Sequence, residues 1–238
     1  MFIFLRFLRL AKQLHHATHK KCEPGYAAKA ILVKLLCFPL LVVSLNVAAQ
    51  DDGQVRIRGE ILSVDGDIIV VKTLANDVVK VNLGEQSAVF SLSKTTFADV
   101  DFGTYVGAVS VRLDEYSPIV RDSMSWLHLG YELRIMDEDL RGIALGHTKW
   151  DKTSETVMSH GWVDDLEIRV LSIKYGPTEE EETDVDIPRD ATVARMSIGN
   201  RSQLTSHANV FVGAQPSDGG YYNANYIMVG LDGLVPAL

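Results

Sequence analysis

From Val55 onward, apolar and polar positions alternate with period two. Val55, Ile57, Gly59 and Ile61 fall on one face and Arg56, Arg58 and Glu60 on the other, as a half-buried β-strand requires. Asp65-Gly66-Asp67 separates two such runs, which predicts a hairpin over 55–74. Short strands are expected next at 78–83 and 89–92, then one helical turn at 97–100 and a strand at 104–113. A further strand closes the series at 131–135. The same order returns in the second half. Strands are expected near 157–164, 168–175, 183–187, 192–197, 208–214 and 221–229. Arg201-Ser-Gln-Leu204 stands where 97–100 stood.

This correspondence makes the chain a weak internal duplication, and a long repeat period sets architecture before any single residue does. Val64 aligns with Leu166, Val106 with Val212 and Ile135 with Val229, at offsets of 102, 106 and 94 residues. The shrinking offset places an insertion in the first copy at 114–130, which carries Pro118, Met124, Trp126, Leu127 and His128. The expected fold is all-β, with two tandem small barrels of the OB kind. The first spans 50–136 and the second 157–230. A His- and Trp-containing linker at 137–156 joins them, a helical signal segment at 1–49 precedes them, and 231–238 is a C-terminal tail.

The first 49 residues have a different composition. They hold seven Lys/Arg and one acid, Glu23, ahead of an apolar run at 35–45 and small residues at Val47 and Ala49. That arrangement is a secretory signal with cleavage after Ala49, and the expected destination is the periplasm. That run of eleven residues, which includes Pro39 and Ser44, falls short of the roughly 20 a membrane-spanning helix needs. The alternative is an inner-membrane anchor formed by an uncleaved 31–49 segment. The unusually long basic stretch before it is expected to reflect a true start near 31–33.

Both cysteines, Cys22 and Cys37, lie in this leader. The chain after Ala49 therefore has neither a disulfide nor a thiolate with which to bind metal. The whole chain has 23 Lys/Arg and 31 Asp/Glu, of which the leader takes seven and one. The remainder carries 16 against 30, a net charge of −14. So acidic a balance opposes binding to nucleic acid and to anionic lipid.

Candidate chemistry is sparse. The linker segment Gly146-His-Thr-Lys-Trp-Asp151, with His160 downstream, offers the strongest cluster: His147, Trp150, Asp151 and His160 are the candidate ligand-binding residues. An imidazole beside a carboxylate can act as base or ligand. The competing reading makes His147 and Trp150 packing residues of a structural linker. No catalytic residue, cofactor or metal ligand set is assigned, because there is no nucleophile elbow, phosphate loop or zinc spacing. The acidic loop at 178–183 lacks the alternating oxygen ligands of a calcium loop. Trp126, Trp162, Tyr221, Tyr222 and Tyr226 suggest a stacking platform for oligosaccharide as an alternative to core packing.

Four segments carry a resemblance. They are 58–67 (Arg-Gly-Glu-Ile-Leu-Ser-Val-Asp-Gly-Asp), 103–107 (Gly-Thr-Tyr-Val-Gly), Arg141-Gly through His147-Thr-Lys-Trp-Asp151, and 225–236. Together they resemble a bacterial exported family whose members carry tandem copies of a small β domain of unknown function behind a signal peptide. Some members are labelled metal transporter permeases, a label that the short apolar run does not support. The resemblance implies no catalytic residue and no cofactor. The expected function is a non-catalytic exported module that binds a small ligand or an envelope protein, or scaffolds one. The alternatives are a metal-handling protein or hydrolase using His147, Asp151 and His160, and an oligosaccharide-binding protein.

Overall fold

The computed structural model describes residues 53–113, 126–178 and 180–236. The expected signal segment and 114–125 of the insertion lie outside these. The strands are β1 (Val55–Asp65), β2 (Ile68–Thr73), β3 (Val78–Asn82), β4 (Ala88–Lys94), β5 (Tyr105–Arg112), β6 (Leu127–Met136) and β7 (Gly146–Lys149). They continue with β8 (Thr156–Glu167), β9 (Val170–Lys174), β10 (Glu182–Asp186), β11 (Thr192–Ile198), β12 (Asn209–Pro216) and β13 (Tyr221–Gly230). Single 3₁₀ turns at Phe97–Asp99 and Arg201–Gln203 occupy the two expected helical positions. Each is closed by the residue three positions on from its cap. The Asp99 carboxylate accepts from the Thr96 N–H, and the Gln203 amide oxygen accepts from the Asn200 N–H.

The strands pair into two closed rings. The first runs β1-β2-β3-β13-β12 and back to β1; the second runs β8-β9-β10-β6-β5 and back to β8. Within each ring one pair is parallel, β3 with β13 and β10 with β6, and the other pairs are antiparallel. β4 and β11 pair antiparallel with each other and connect the rings, β4 lying parallel to β13 and β11 parallel to β6.

Strand positions match the periodicity closely, except that β6 begins at Leu127, inside the expected insertion, and β7 forms inside the expected linker. The partnership of the strands differs from the expected tandem arrangement. Each ring takes three strands from one half of the chain and two from the other. Neither 50–136 nor 157–230 closes a ring by itself. The physical reason is the path of the fourth strand. β4 leaves the first ring along β11, so the chain that follows it, β5 and β6, arrives in the second ring. β11 returns the chain the same way to β12 and β13. Sequence repetition shows which segments are alike, whereas hydrogen bonding between strands depends on where the connecting segment delivers them.

Matching glycines mark the matching geometry. A Cβ on Gly59 would collide with the carbonyl oxygen of Lys72, and one on Gly161 with that of Lys174. Both pairs are 102 residues apart, and each sits where the first strand of a series coils tightly across the second. Ile57, Ile61, Ile69, Val71, Val81, Val212 and Ile227 fill the first ring. Val106, Leu133, Ile135, Val163, Leu171, Ile173 and Val185 fill the second. A third apolar interior, containing Leu92, Tyr105, Met136, Met196, Phe211 and Met228, lies between them.

Candidate binding site at the seam between the rings

The third interior follows from side-chain alternation. In β6, Leu133 and Ile135 point into the second ring, which sends Glu132, Arg134 and Met136 to the opposite face. On β8 the same alternation puts Val163 in the second ring and Met158 and His160 on the outside. The strand series β8-β5-β6-β11-β4-β13-β12-β1 is continuous, so these outer faces merge into one surface. The sequence treats that surface as neither core nor solvent side, because each ring uses only the other face.

The connecting segment 137–156 folds back over this surface. Tyr105 donates from its hydroxyl to the Ile143 carbonyl at 2.7 Å. β7 pairs with the edge of β8, Gly146 opposite His160 and Thr148 opposite Met158. Immediately after it, Trp150 stacks on Phe211 at 5.6 Å and lies beneath the Arg56 guanidinium at 4.3 Å. Asp151 takes two hydrogen bonds from Arg58, at 2.6 and 2.9 Å. Burial pulls the Asp151 pKa upward, but the Arg58 hydrogen bonds and the charges of Arg58 and Arg56 outweigh it. The carboxyl is held below its usual range. The segment thus runs from one ring to β1 of the other and is fastened by a bidentate ion pair.

Between segment and sheet lies a cavity of about 470 Å³, within the size range of small-molecule sites. Four buried methionines, Met136, Met158, Met196 and Met228, line it with Phe90, Trp150 and Tyr226. Ile143 and Leu145 supply the covering side. Thioether side chains are flexible and polarisable, and so suit an adaptable apolar pocket.

Two polar residues on the wall stand out. Arg134 is 2% exposed, bonded through Nε to Glu132, and its Nη2 has no acceptor. The Trp150 indole Nε1 is likewise buried and unsatisfied. A buried donor without a partner costs about 1–3 kcal/mol. His160 rests against Gly107, where an added Cβ would meet the imidazole at 2.8 Å and the Met136 methyl at 3.1 Å. Burial, reinforced by the Arg134 charge, lowers the His160 pKa to about 4. The imidazole is therefore neutral near pH 7.

Of the four candidate residues, Trp150 and His160 line the cavity, and His147 and Asp151 do not. His147 points away from the cavity. Its Nδ1 meets Ser159 Oγ at 2.9 Å, its ring stacks on Tyr175, and His128 approaches edge-on at 5.8 Å. Burial lowers the His147 pKa. Asp151 is committed to Arg58. The three groups proposed for metal or hydrolytic chemistry therefore hold separate partners. Among the described residues no three His, Cys, Asp or Glu gather as a metal set.

Of the aromatics expected to form a stacking platform, Tyr226 lines the cavity, whereas Trp126, Trp162, Tyr221 and Tyr222 do not. Trp162 packs on Tyr105 at 5.2 Å, Tyr222 packs against the first ring's core, and Tyr221 lies under Lys80. In the acidic loop, Glu181 accepts from the backbone and hydroxyl of Thr178.

Sequence reasoning missed Arg134, Glu132 and the methionines. Charges at alternate positions of β6 read as a solvent face, and no local pattern distinguishes them from one. The only available signal was the methionines themselves: four of the five after Met1 line this single cavity.

The fold and the site define a class, an all-β protein whose ring-to-ring seam encloses a methionine-lined cavity with unsatisfied donors. A comparison with protein-family models, with curated proteins and with solved structures returns no match.

Proposed function

We propose that this chain is an exported, non-catalytic binding protein of the cell envelope, and that it carries a small, largely apolar ligand in the seam cavity. The observation that carries this reading is the cavity itself. A fastened segment covers about 470 Å³ of methionine- and aromatic-lined space, where efficient packing would leave no void, and two of its lining residues, Arg134 and Trp150, each carry a buried donor with no acceptor. Separation of His147, Asp151 and His160 supports the absence of catalysis by that trio. The basic, apolar leader supports export to the periplasm, and the −14 charge of the remainder argues against nucleic acid as a partner.

The rings support an OB-like reading. Around each ring the first three strands of one half (β1-β2-β3 or β8-β9-β10) are followed by the last strand of the other half and then the one before it (β13-β12 or β6-β5), with β3 parallel to β13 and β10 parallel to β6, the order of an OB barrel. On this reading the chain is a duplicated unit whose copies exchange their last two strands, and the seam is the site that exchange creates.

The test is a titration with N-phenyl-1-naphthylamine, a neutral apolar probe whose fluorescence rises on leaving water. A saturable rise at one site per chain is expected. It should be lost in Met196→Trp, which fills the cavity, provided that variant retains the native circular dichroism spectrum. Absence of binding, or equal binding by Met196→Trp, rejects the seam as the site.

A further inference from the structure

Resting on the seam-cavity reading, we propose that the ligand is a monoanionic amphiphile, an apolar chain ending in a carboxylate, with its head group held by Arg134. The wall supplies apolar contact on most sides and hydrogen-bond donors at few points, the usual division of labour in a small-molecule site. Arg134 is nearly fully buried, and its Nη2 faces no acceptor from the protein. Trp150 Nε1, on the covering segment, is a second unfilled donor. Both request an oxygen that the protein does not provide.

Charge decides which kind of oxygen. The groups whose fields reach the Tyr226 hydroxyl in this cavity are Arg56, Arg134, Arg58 and Asp151. Glu132 adds one more negative charge, paired with Arg134. His160 is neutral near pH 7, so three cations face two anions. Arg134 is paired with Glu132, so the excess positive charge lies on Arg56 and Arg58, which share the single carboxylate of Asp151 at the partly exposed edge of the seam. A carboxylate supplies one negative charge and two acceptor oxygens, whereas a neutral alcohol supplies only an oxygen. An ammonium compound adds to the excess and brings no acceptor. Arginine's planar fork suits the carboxylate, since Nε can keep Glu132 while Nη2 serves the ligand.

The experiment is isothermal titration of the full chain with octanoate, octan-1-ol and octylammonium, which share the chain and differ in the head group. Octanoate is expected to bind at least tenfold tighter than octan-1-ol, and octylammonium weakest of the three. In the double variant Glu132→Gln/Arg134→Met, which removes both charges together, octanoate should fall to the level of octan-1-ol with the alcohol unchanged. Arg134→Lys keeps the pair with Glu132 and guards against loss of folding in the double variant. It should weaken octanoate at least fivefold and leave octan-1-ol alone. Equal affinity for octanoate and octan-1-ol in the native chain, or octanoate binding unchanged in both variants, overturns the head-group assignment while leaving the cavity reading intact. If neither compound binds, both readings fall.

Discussion

His160 shows how one residue's surroundings can be turned into a measurement. In the folded chain its pKa is about 4, whereas in the unfolded chain it returns to roughly 6.5. Between these values the unfolded state binds the extra proton, so stability rises with pH across the window. The contribution is fully present above about pH 6.5 and is lost progressively as pH falls toward 4. Going from pH 6.5 to 5 should cost about 2 kcal/mol through this residue. His147, also lowered by burial, acts in the same direction. Urea unfolding of the native chain and of His160→Gln at both pH values checks this. The variant should lose less stability on acidification, and parallel losses would show that the imidazole is not buried as described. His160 entered the candidate set from its residue type and its position beyond the linker. Its contact with Gly107, 53 residues away, is what gives it a place in the cavity, and no spacing rule encodes that contact.

At the scale of elements, the covering segment departs furthest from expectation. The region 137–156 reads as a linker because Gly-His-Thr-Lys has no apolar alternation. Yet β7 forms, because β8 extends past the end of β9 and leaves an unpaired edge that the backbone of Gly146–Lys149 satisfies. Backbone hydrogen bonding asks little of the side chains, so this strand leaves no signature. The fastening of the segment depends on Arg58 and Asp151. Asp151→Asn should remove the charge from that bidentate pair and cost about 1 kcal/mol of stability. Its sharper effect is local. Amide hydrogen exchange at 141–151 should accelerate at least several-fold, with exchange in β1 and β2 unchanged. Uniform acceleration across both rings would mean that the pair supports the whole fold and does not specifically hold the segment.

For the whole molecule, the decisive feature is that each ring is assembled from both halves. A fragment covering 50–136 contains β1, β2 and β3 without β12 and β13, and β5 and β6 without β8, β9 and β10. Its apolar faces have nothing to close against. Expressed alone, 50–136 and 137–238 should each lack a cooperative thermal transition, because neither encloses a core. Mixed at equal concentration, they should regain the native far-ultraviolet spectrum and a single transition. A fragment that melts cooperatively by itself would contradict the exchanged arrangement. Gly59 and Gly161 show why the duplication is visible at this scale. The same close approach of two strands demands the same residue twice, 102 positions apart, so a backbone constraint is printed directly into the sequence.

The strands other than β7, the 3₁₀ turns at Phe97–Asp99 and Arg201–Gln203 and the all-β class were decided by local pattern, since alternation and turn chemistry act over a few residues, and the acidic balance by composition alone. Ring membership, the covering segment and the cavity between the rings were decided only in three dimensions. Each depends on which distant strand supplies the missing hydrogen bonds and on what meets the outer face of a sheet whose inner face is already full. A charged residue such as Arg134 looks the same in sequence whether that outer face meets water or another part of the chain.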